Sequence, residues 1–325
     1  MKKSKKVLLI LIVVLFLFLI FLYSPDIKFD HLLEKYENEN SNFIDIDLNS
    51  NDEKKTISIH YHSINSEIDE KLILIHGIFS SSYSFTSLSE MFNDYNVILI
   101  DLPGHGLSSL LPDNITSINI HTEIVKQVIE KLNFKTFFLG GNSMGSGICL
   151  NFASMYSEIF EIKGLILINS ILVEEFDMAR FDFSSSLPLF ITNFISKLTP
   201  RIFFEIVLNN VYGDVEKPSK NTVTMYEDFI RREGVRDQIL ELKWRNEEYG
   251  TVYENLNKSN IPILIIWGSK DTVTPISNAF FLEEKLDNIE LVIYDDVGHE
   301  PQVEAQKMIY EDIINFLEIN SQSRS

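Results

Sequence analysis

Hydrophobic positions change their spacing several times along this chain, and each change marks a different kind of element. Lys2, Lys3, Lys5 and Lys6 lead into an unbroken apolar run from Val7 to Tyr23. A helix of those 17 residues would be roughly 25 Å long, near the lower limit for crossing a bilayer. Residues 26–41 are polar and rich in Asn and Glu, and read as a stalk or loose helix leading away from that run. Phe43–Leu48 and Lys55–His62 alternate apolar and polar, as half-exposed antiparallel strands do. Then the alternation stops. Leu72–Ile75, Val97–Leu102, Phe137–Leu139, Leu165–Ile168 and Ile261–Ile266 are short continuous apolar runs, the pattern of parallel strands covered on both faces. Leu291–Tyr294 reads as a further strand. Ile118–Leu132 and Ser277–Leu286 carry helical spacing between such runs, and Val303–Leu317 reads as a closing helix. Strand alternating with helix predicts a parallel α/β sheet flanked by helices. Residues 173–255 break the rhythm. They hold Phe176, Phe181, Phe183, Phe190, Phe194, Phe203, Phe204 and Phe229 without a clear buried strand, and predict an inserted helical lid. No internal repeat or low-complexity tract is evident.

The first apolar run reads as an uncleaved membrane anchor, with a cleaved signal peptide as its rival. It ends Phe21-Leu22-Tyr23-Ser24-Pro25, without the small residues a signal peptidase site requires, and no cysteine follows to take a lipid. The lysines would stay cytoplasmic and the rest of the chain would lie outside. The expected division is residues 1–25 as anchor, 26–42 as linker, 43–172 with 256–320 as core, and 173–255 as cap. Formal net charge over the 325 residues is −19, and taking away the four N-terminal lysines leaves −23 on the rest. Nucleic acid is therefore an improbable partner. Adsorption of the acidic body to an anionic membrane surface is disfavoured too. Cys149 is the only cysteine, so no intramolecular disulfide forms, and its place on a helical stretch reads as a packed core thiol.

Chemistry enters at Gly141-Asn142-Ser143-Met144-Gly145, a G-x-S-x-G pattern. Alone the pattern is weak. Here Thr136–Gly140 reads as a strand leading in and Ser146–Ser157 as a helix leading out. A sharp strand-to-helix turn exposes a serine hydroxyl and needs small neighbours, which Gly141 and Gly145 supply. The helix N-terminus favours negative charge developing beside it. A serine hydroxyl requires a base. His299, just after Leu291–Tyr294, can take and return the proton. A carboxylate must orient that imidazole. Asp271, directly after a buried strand, fits better than Asp295 or Asp296, which compete only by proximity. A tetrahedral intermediate needs two backbone donors, expected from Met144 and from Ile78 in His76-Gly77-Ile78-Phe79, with Phe79 as second choice. His76 reads as a structural hydrogen-bonder. His60 and His62 share a strand face, but no third ligand stands out, and they read as surface residues. The sequons at Asn114 and Asn257 are within chance in so Asn-rich a chain.

Together these segments resemble the α/β-hydrolase family. His76-Gly77 is similar to its oxyanion loop, Asp101-Leu102-Pro103-Gly104-His105-Gly106-Leu107-Ser108 to its turn after a strand, and Gly141–Gly145 to its elbow. Trp267–Asp271 is similar to its acid loop and Gly298-His299 to its histidine loop. The resemblance implies a mostly parallel eight-stranded sheet with helices on both faces and an inserted cap. It also implies a Ser143-Asp271-His299 triad, structural roles for Asp101 and His105, and no cofactor or metal. The serine excludes the aspartate-nucleophile branches. The Ser-Met-Gly elbow is similar to monoacylglycerol lipases, bacterial esterases and lipases, and carbon–carbon-bond hydrolases of ring-cleavage products. Ser146 departs from a common third glycine, an expected effect on packing alone. An anchor before such a domain resembles membrane-anchored monoacylglycerol lipases and some exported bacterial lipases. The expected activity is hydrolysis of a lipid-like carboxylic ester. Carbon–carbon hydrolysis is the alternative, and a non-catalytic receptor is disfavoured because all three triad residues are present.

Overall fold

In the computed structural model, which describes residues 2–50, 53–173, 189–245 and 249–322, the apolar runs pair side by side. The chain enters through α1 (Lys2–Leu22) and α2 (Phe29–Tyr36). The hairpin β1 (Ser41–Ser50) and β2 (Glu53–Ile64) comes next, then β3 (Lys71–Ile75), the short α3 (Thr86–Ser89) and β4 (Asn96–Ile100). β5 (Ile115–Thr116), α4 (Ile118–Lys131), β6 (Thr136–Asn142), α5 (Met144–Tyr156) and β7 (Glu161–Ile168) complete the first half. Four helices follow: α6 (Leu189–Ser196), α7 (Arg201–Val211), α8 (Lys220–Ile230) and α9 (Val235–Glu241). The chain then runs through β8 (Lys243–Trp244), α10 (Val252–Ser259), β9 (Ile263–Gly268), α11 (Ser277–Lys285) and β10 (Ile289–Tyr294). It closes with α12 (Pro301–Glu304) and α13 (Gln306–Gln322).

Eight strands form one mixed sheet in the order β1-β2-β4-β3-β6-β7-β9-β10. β1, β2 and β4 pair antiparallel, and every later pairing is parallel. Period-two alternation puts Leu72 and Leu74 of β3 in one core, with Phe85, Ile309, Ile313 and Phe316. Ile73 and Ile75 fall in the other core, with Val125, Ile148, Leu256 and Leu282. Two apolar cores on opposite faces explain why β3, β4 and β9 are continuous apolar runs. Ser117 caps α4 by accepting the Ile120 N–H at 3.1 Å.

The structure departs from expectation in three places. Of the two readings of residues 26–41, a stalk or a loose helix, the helix is present at Phe29–Tyr36, but it is packed rather than loose. Phe29, Leu32, Leu33 and Tyr36 form one stripe of α2, Leu32 is buried, and the stripe packs on Leu107 and Phe229. Lys35 Nζ and Tyr36 Oη both reach Asp228 Oδ2, at 2.6 and 2.8 Å. The closing helix is split at Ala305 into α12 and α13. His60 and His62 are buried, not surface residues, because the Tyr83 ring, itself packed against Tyr36 of α2, lies against both imidazoles. Phe204 and Phe229 of the inserted helices are buried, and Phe194 and Phe203 are exposed. Phe176, Phe181 and Phe183, and the side chain of Phe190, lie outside the described residues. α1 includes a stretch, Lys5–Leu22, of mean hydropathy 3.0 that is wholly unburied; by length and composition it is long and apolar enough to cross a membrane.

Candidate active site

The strand-to-helix turn between β6 and α5 forces Ser143 to φ 55°, ψ −118°, a conformation that costs free energy and is held by its surroundings. The flanking glycines are steric requirements. A Cβ on Gly145 would sit 2.1 Å from the Ile75 carbonyl oxygen, and one on Gly141 would sit 2.5 Å from the backbone of Gly145. Ser146, the position departing from the common glycine, braces the turn. Its Oγ accepts the Ile168 N–H at 2.9 Å and donates to the Gly141 carbonyl.

His299 and Asp271, far apart in sequence, meet at the ends of β10 and β9. His299 Nδ1 lies 2.8 Å from Asp271 Oδ2. Asp271 Oδ1 accepts the N–H groups of Val273 (2.7 Å) and Thr274 (3.0 Å). Its Oδ2 accepts from Thr274 Oγ1 at 2.5 Å and from Asn169 Nδ2. Burial raises the carboxyl pKa, but His299 and these hydrogen bonds outweigh it and hold Asp271 below its usual range. The histidine loop is tied from several sides. The His299 N–H donates to Val211 O at 2.9 Å, and its carbonyl accepts from Asn142 Nδ2 at 3.0 Å. Glu304 accepts the N–H groups of Gly213, Gly298 and Glu300 at 2.7, 2.8 and 3.0 Å. Buried Glu300 accepts from Tyr226 Oη, which also lies 2.9 Å from Ser80 Oγ, so α8 bridges the histidine loop and the loop after β3. Burial holds the Glu300 carboxyl above its usual range. Among the described residues the Ser143 hydroxyl has no hydrogen-bond partner. Ligand-free sites commonly leave the nucleophile–base contact open.

The two sequence-predicted donors are distinguished from their neighbour by hydrogen bonding. Phe79, at φ 60°, donates its N–H to His105 Nε2 at 3.1 Å. That donor is therefore occupied, while the N–H groups of Ile78 and Met144 have no acceptor among the described residues. Gly77 lets the loop approach, since a Cβ there would lie 3.0 Å from Asn142 Oδ1 and 3.1 Å from Ser143 Cβ. His105 Nδ1 donates to Pro103 O at 2.9 Å, which fixes a neutral tautomer. Burial depresses its pKa to about 3, unsuited to base work. His76 is likewise spent on backbone, accepting from Leu102 N at 3.0 Å and donating to Gly77 O at 2.7 Å. Asp101 is fully buried and accepts from Ser82 N, Leu107 N and His60 Nδ1. Among the described residues no group of three or more His, Cys, Asp or Glu side chains is placed to hold a metal.

Beside Ile78 and Met144 opens a cavity of about 40 Å³ walled by Phe229, Trp244, Leu242 and His121. His121 Nε2 contacts Thr116 Oγ1 at 2.8 Å. Asn169 and Thr274, which clamp Asp271, escaped sequence reasoning. Asn169 stands directly after the apolar run of β7, at the carboxyl end of a parallel strand where ligand-binding groups collect, and that position was the available signal.

A family profile described as alpha/beta hydrolase fold matches residues 71–306. The chain is 27% identical to Lipase 3 of Moraxella sp. (strain TA144) over 247 residues, 73% of this chain and 74% of the lipase. It is 24% identical over 290 residues to the 2-hydroxy-6-oxononadienedioate/2-hydroxy-6-oxononatrienedioate hydrolase of Escherichia coli O139:H28, 83% of this chain and 94% of that enzyme. The solved structure of a membrane phospholipase A, a bacterial virulence factor, superposes with TM-score 0.66 at 21% identity, covering 99% of this chain and 100% of the other. With more than half its length matched by the profile and its sheet, elbow and strand-end loops in the same order, the chain belongs to the α/β-hydrolase fold family.

Proposed function

We propose that the protein is a serine hydrolase of lipid-like carboxylic esters, held at a membrane by α1. Ser143 Oγ attacks the ester carbonyl. His299 Nε2 takes the proton and returns it to the leaving alcohol, while Asp271 holds the Nδ1–H tautomer and stabilises the imidazolium. The N–H groups of Ile78 and Met144 receive the developing oxyanion. Water then attacks the acyl-enzyme, with His299 again as base, and releases the acid. The observation that carries this reading is the buried His299–Asp271 pair on loops converging at the Ser143 elbow. The cavity beside the donors is the acyl subsite, and at about 40 Å³ it has room for only a few waters. Longer acyl groups require Phe229 and Trp244 to yield, so short-to-medium chains are favoured. Residues 173–255 act as the cap over a core of 43–172 and 256–320.

The test is hydrolysis of monoacylglycerols and p-nitrophenyl esters from acetyl to palmitoyl by the detergent-solubilised full chain. Activity abolished in Ser143→Ala supports the reading. An untouched ester panel from well-folded protein defeats it. The resemblance to the E. coli enzyme favours a second reading, carbon–carbon hydrolysis of a ring-fission product. Turnover of such a product without esterase activity would establish that instead.

A further inference from the structure

We propose that one face of α6 and α7 docks on the lipid surface of a phospholipid bilayer beside α1. The docking rests on reading α1 as an anchor. Outside α1, large exposed apolar side chains are mostly scattered, as Phe280, Met155 and Ile319 are. Phe194, Ile195, Ile202, Phe203, Ile206 and Val207 instead fall within fourteen residues of chain, each 42–55% exposed. On α7 the last four share one side, at i, i+1, i+4 and i+5. Phe204 and Leu208 occupy the other side and pack on Val223 and Tyr226 of α8. The helix is thus apolar towards the protein and apolar away from it, a pattern that water does not favour. Glu205, the one carboxylate on either helix, is paired with Arg201 at 3.2 Å, so the face presents no unpaired negative charge.

The occupant is indicated by what lies next to the face. The Ser24 N–H donates to Lys197 O at 2.7 Å, directly after α6, and the Tyr23 ring stacks on Phe194 with centroids 6.4 Å apart. Asp26 then binds Lys197 at 2.9 Å and Arg236 at 2.5 Å. These contacts fasten the end of the wholly unburied α1 to the edge of the apolar face, so lipid around one is within reach of the other. At its far end, about 16 Å along, α7 accepts the His299 N–H through Val211 O. Docking would therefore set the histidine loop close to the lipid surface, where acyl esters of low water solubility reside.

Depth-dependent quenching in vesicles tests this on the full chain. An environment-sensitive fluorophore is attached at Phe203→Cys, Ile206→Cys, Leu15→Cys or Phe280→Cys, one per protein. Cys149 is buried and does not compete. The vesicles are phosphatidylcholine carrying acyl-chain nitroxides, with iodide as the aqueous quencher. The expected result is lipid quenching at positions 203, 206 and 15, and iodide quenching alone at 280. Lipid quenching at 15 with only iodide quenching at 203 and 206 leaves the anchor standing and overturns the docking. Quenching by neither agent at 203 and 206 means that protein covers the face, which also overturns it. Lipid quenching at 203 and 206 but not at 15 removes the anchor and with it the docking beside α1, leaving an apolar face that binds lipid by itself.

Discussion

Among the described residues are two buried His–Asp pairs of nearly equal length, His60–Asp101 at 2.7 Å and His299–Asp271 at 2.8 Å. Their settings differ. His60 is sealed, with 0% side-chain exposure, ring contacts to Phe43, His62 and Tyr83, and a buried Nε2 that meets no hydrogen-bond partner among the described residues. The His299 side chain keeps 9% exposure at the elbow cleft. Asp101 spends its remaining capacity on backbone N–H groups that close a turn, whereas Asp271 is clamped by Asn169 and Thr274. A His–Asp contact is thus a local stabilising motif. Access of its distal nitrogen to a strained serine is what would make it catalytic.

Removing each histidine should separate the two roles most sharply. His299→Ala is expected to lower kcat/KM on a short p-nitrophenyl ester by at least about 10⁴-fold with little change in melting temperature. His60→Ala should do the reverse. It leaves the buried Asp101 carboxylate without its side-chain hydrogen-bond partner, at a cost of about 3 kcal/mol, while folded protein keeps kcat within about threefold. Paired ester kinetics and thermal melts read both effects. A large kcat loss in folded His60→Ala would erase the distinction.

The aspartates come next. Asp271→Asn keeps the hydrogen-bonding shape but favours the wrong imidazole tautomer, and kcat should fall by about 10³–10⁴-fold. Asp101→Asn should cost stability through its buried N–H donors and leave the pH–rate profile in place. Tyr226→Phe probes the bridge between the loops. Loss of the donor to Glu300 should cost about 1–2 kcal/mol and lower kcat several-fold, with KM for a small ester unchanged. An unaltered kcat would show that the bridge holds the cap without positioning His299.

The sequence made one of these regions far more legible than the other. β3, β6, β7 and β9 are apolar on both faces, so their spans and the loops that end them could be read directly, and Ser143 and Asp271 sit on those loops, while His299 follows the partly exposed edge strand β10. His60 and His62 were misread because β2 lies near the sheet edge. What lies against these histidines is Tyr83, with Tyr36 of α2 packed behind it, contacts that no local pattern records. The stripe Phe29, Leu32, Leu33, Tyr36 was present in the sequence, but Asn and Glu around it masked its helical spacing. The Asn169 clamp was hidden for a similar reason, since its partner lies 102 residues away.

The smallest expected effect concerns acid. Burial is the largest cause of the depressed pKa of His62, held to about 4, and of His105 and His121, held to about 3; His76 is lowered in the same way. Unfolded, each would titrate near 6.5. Below that pH the unfolded chain takes up protons that the folded chain refuses, so stability falls as pH drops. Glu300 and Glu304 oppose this. Burial raises both folded pKa values above 4.5, so the stability they contribute is present at low pH and lost as pH rises through those values. Asp101 and Asp271 have depressed values below 3.8 and do not titrate between pH 6.5 and 5. Four histidines outnumber two carboxyls, so the melting temperature should decline across that interval. His62→Phe sharpens the contrast between the sealed pair and the open one. It removes a titrating ring packed edge-on against His60 and, with it, a buried nitrogen that has no hydrogen-bond partner among the described residues. The decline should become shallower by up to about 1.4 kcal/mol per pH unit, with esterase activity at neutral pH unchanged. An equally steep decline in His62→Phe would mean that His62 reaches water before the protein unfolds.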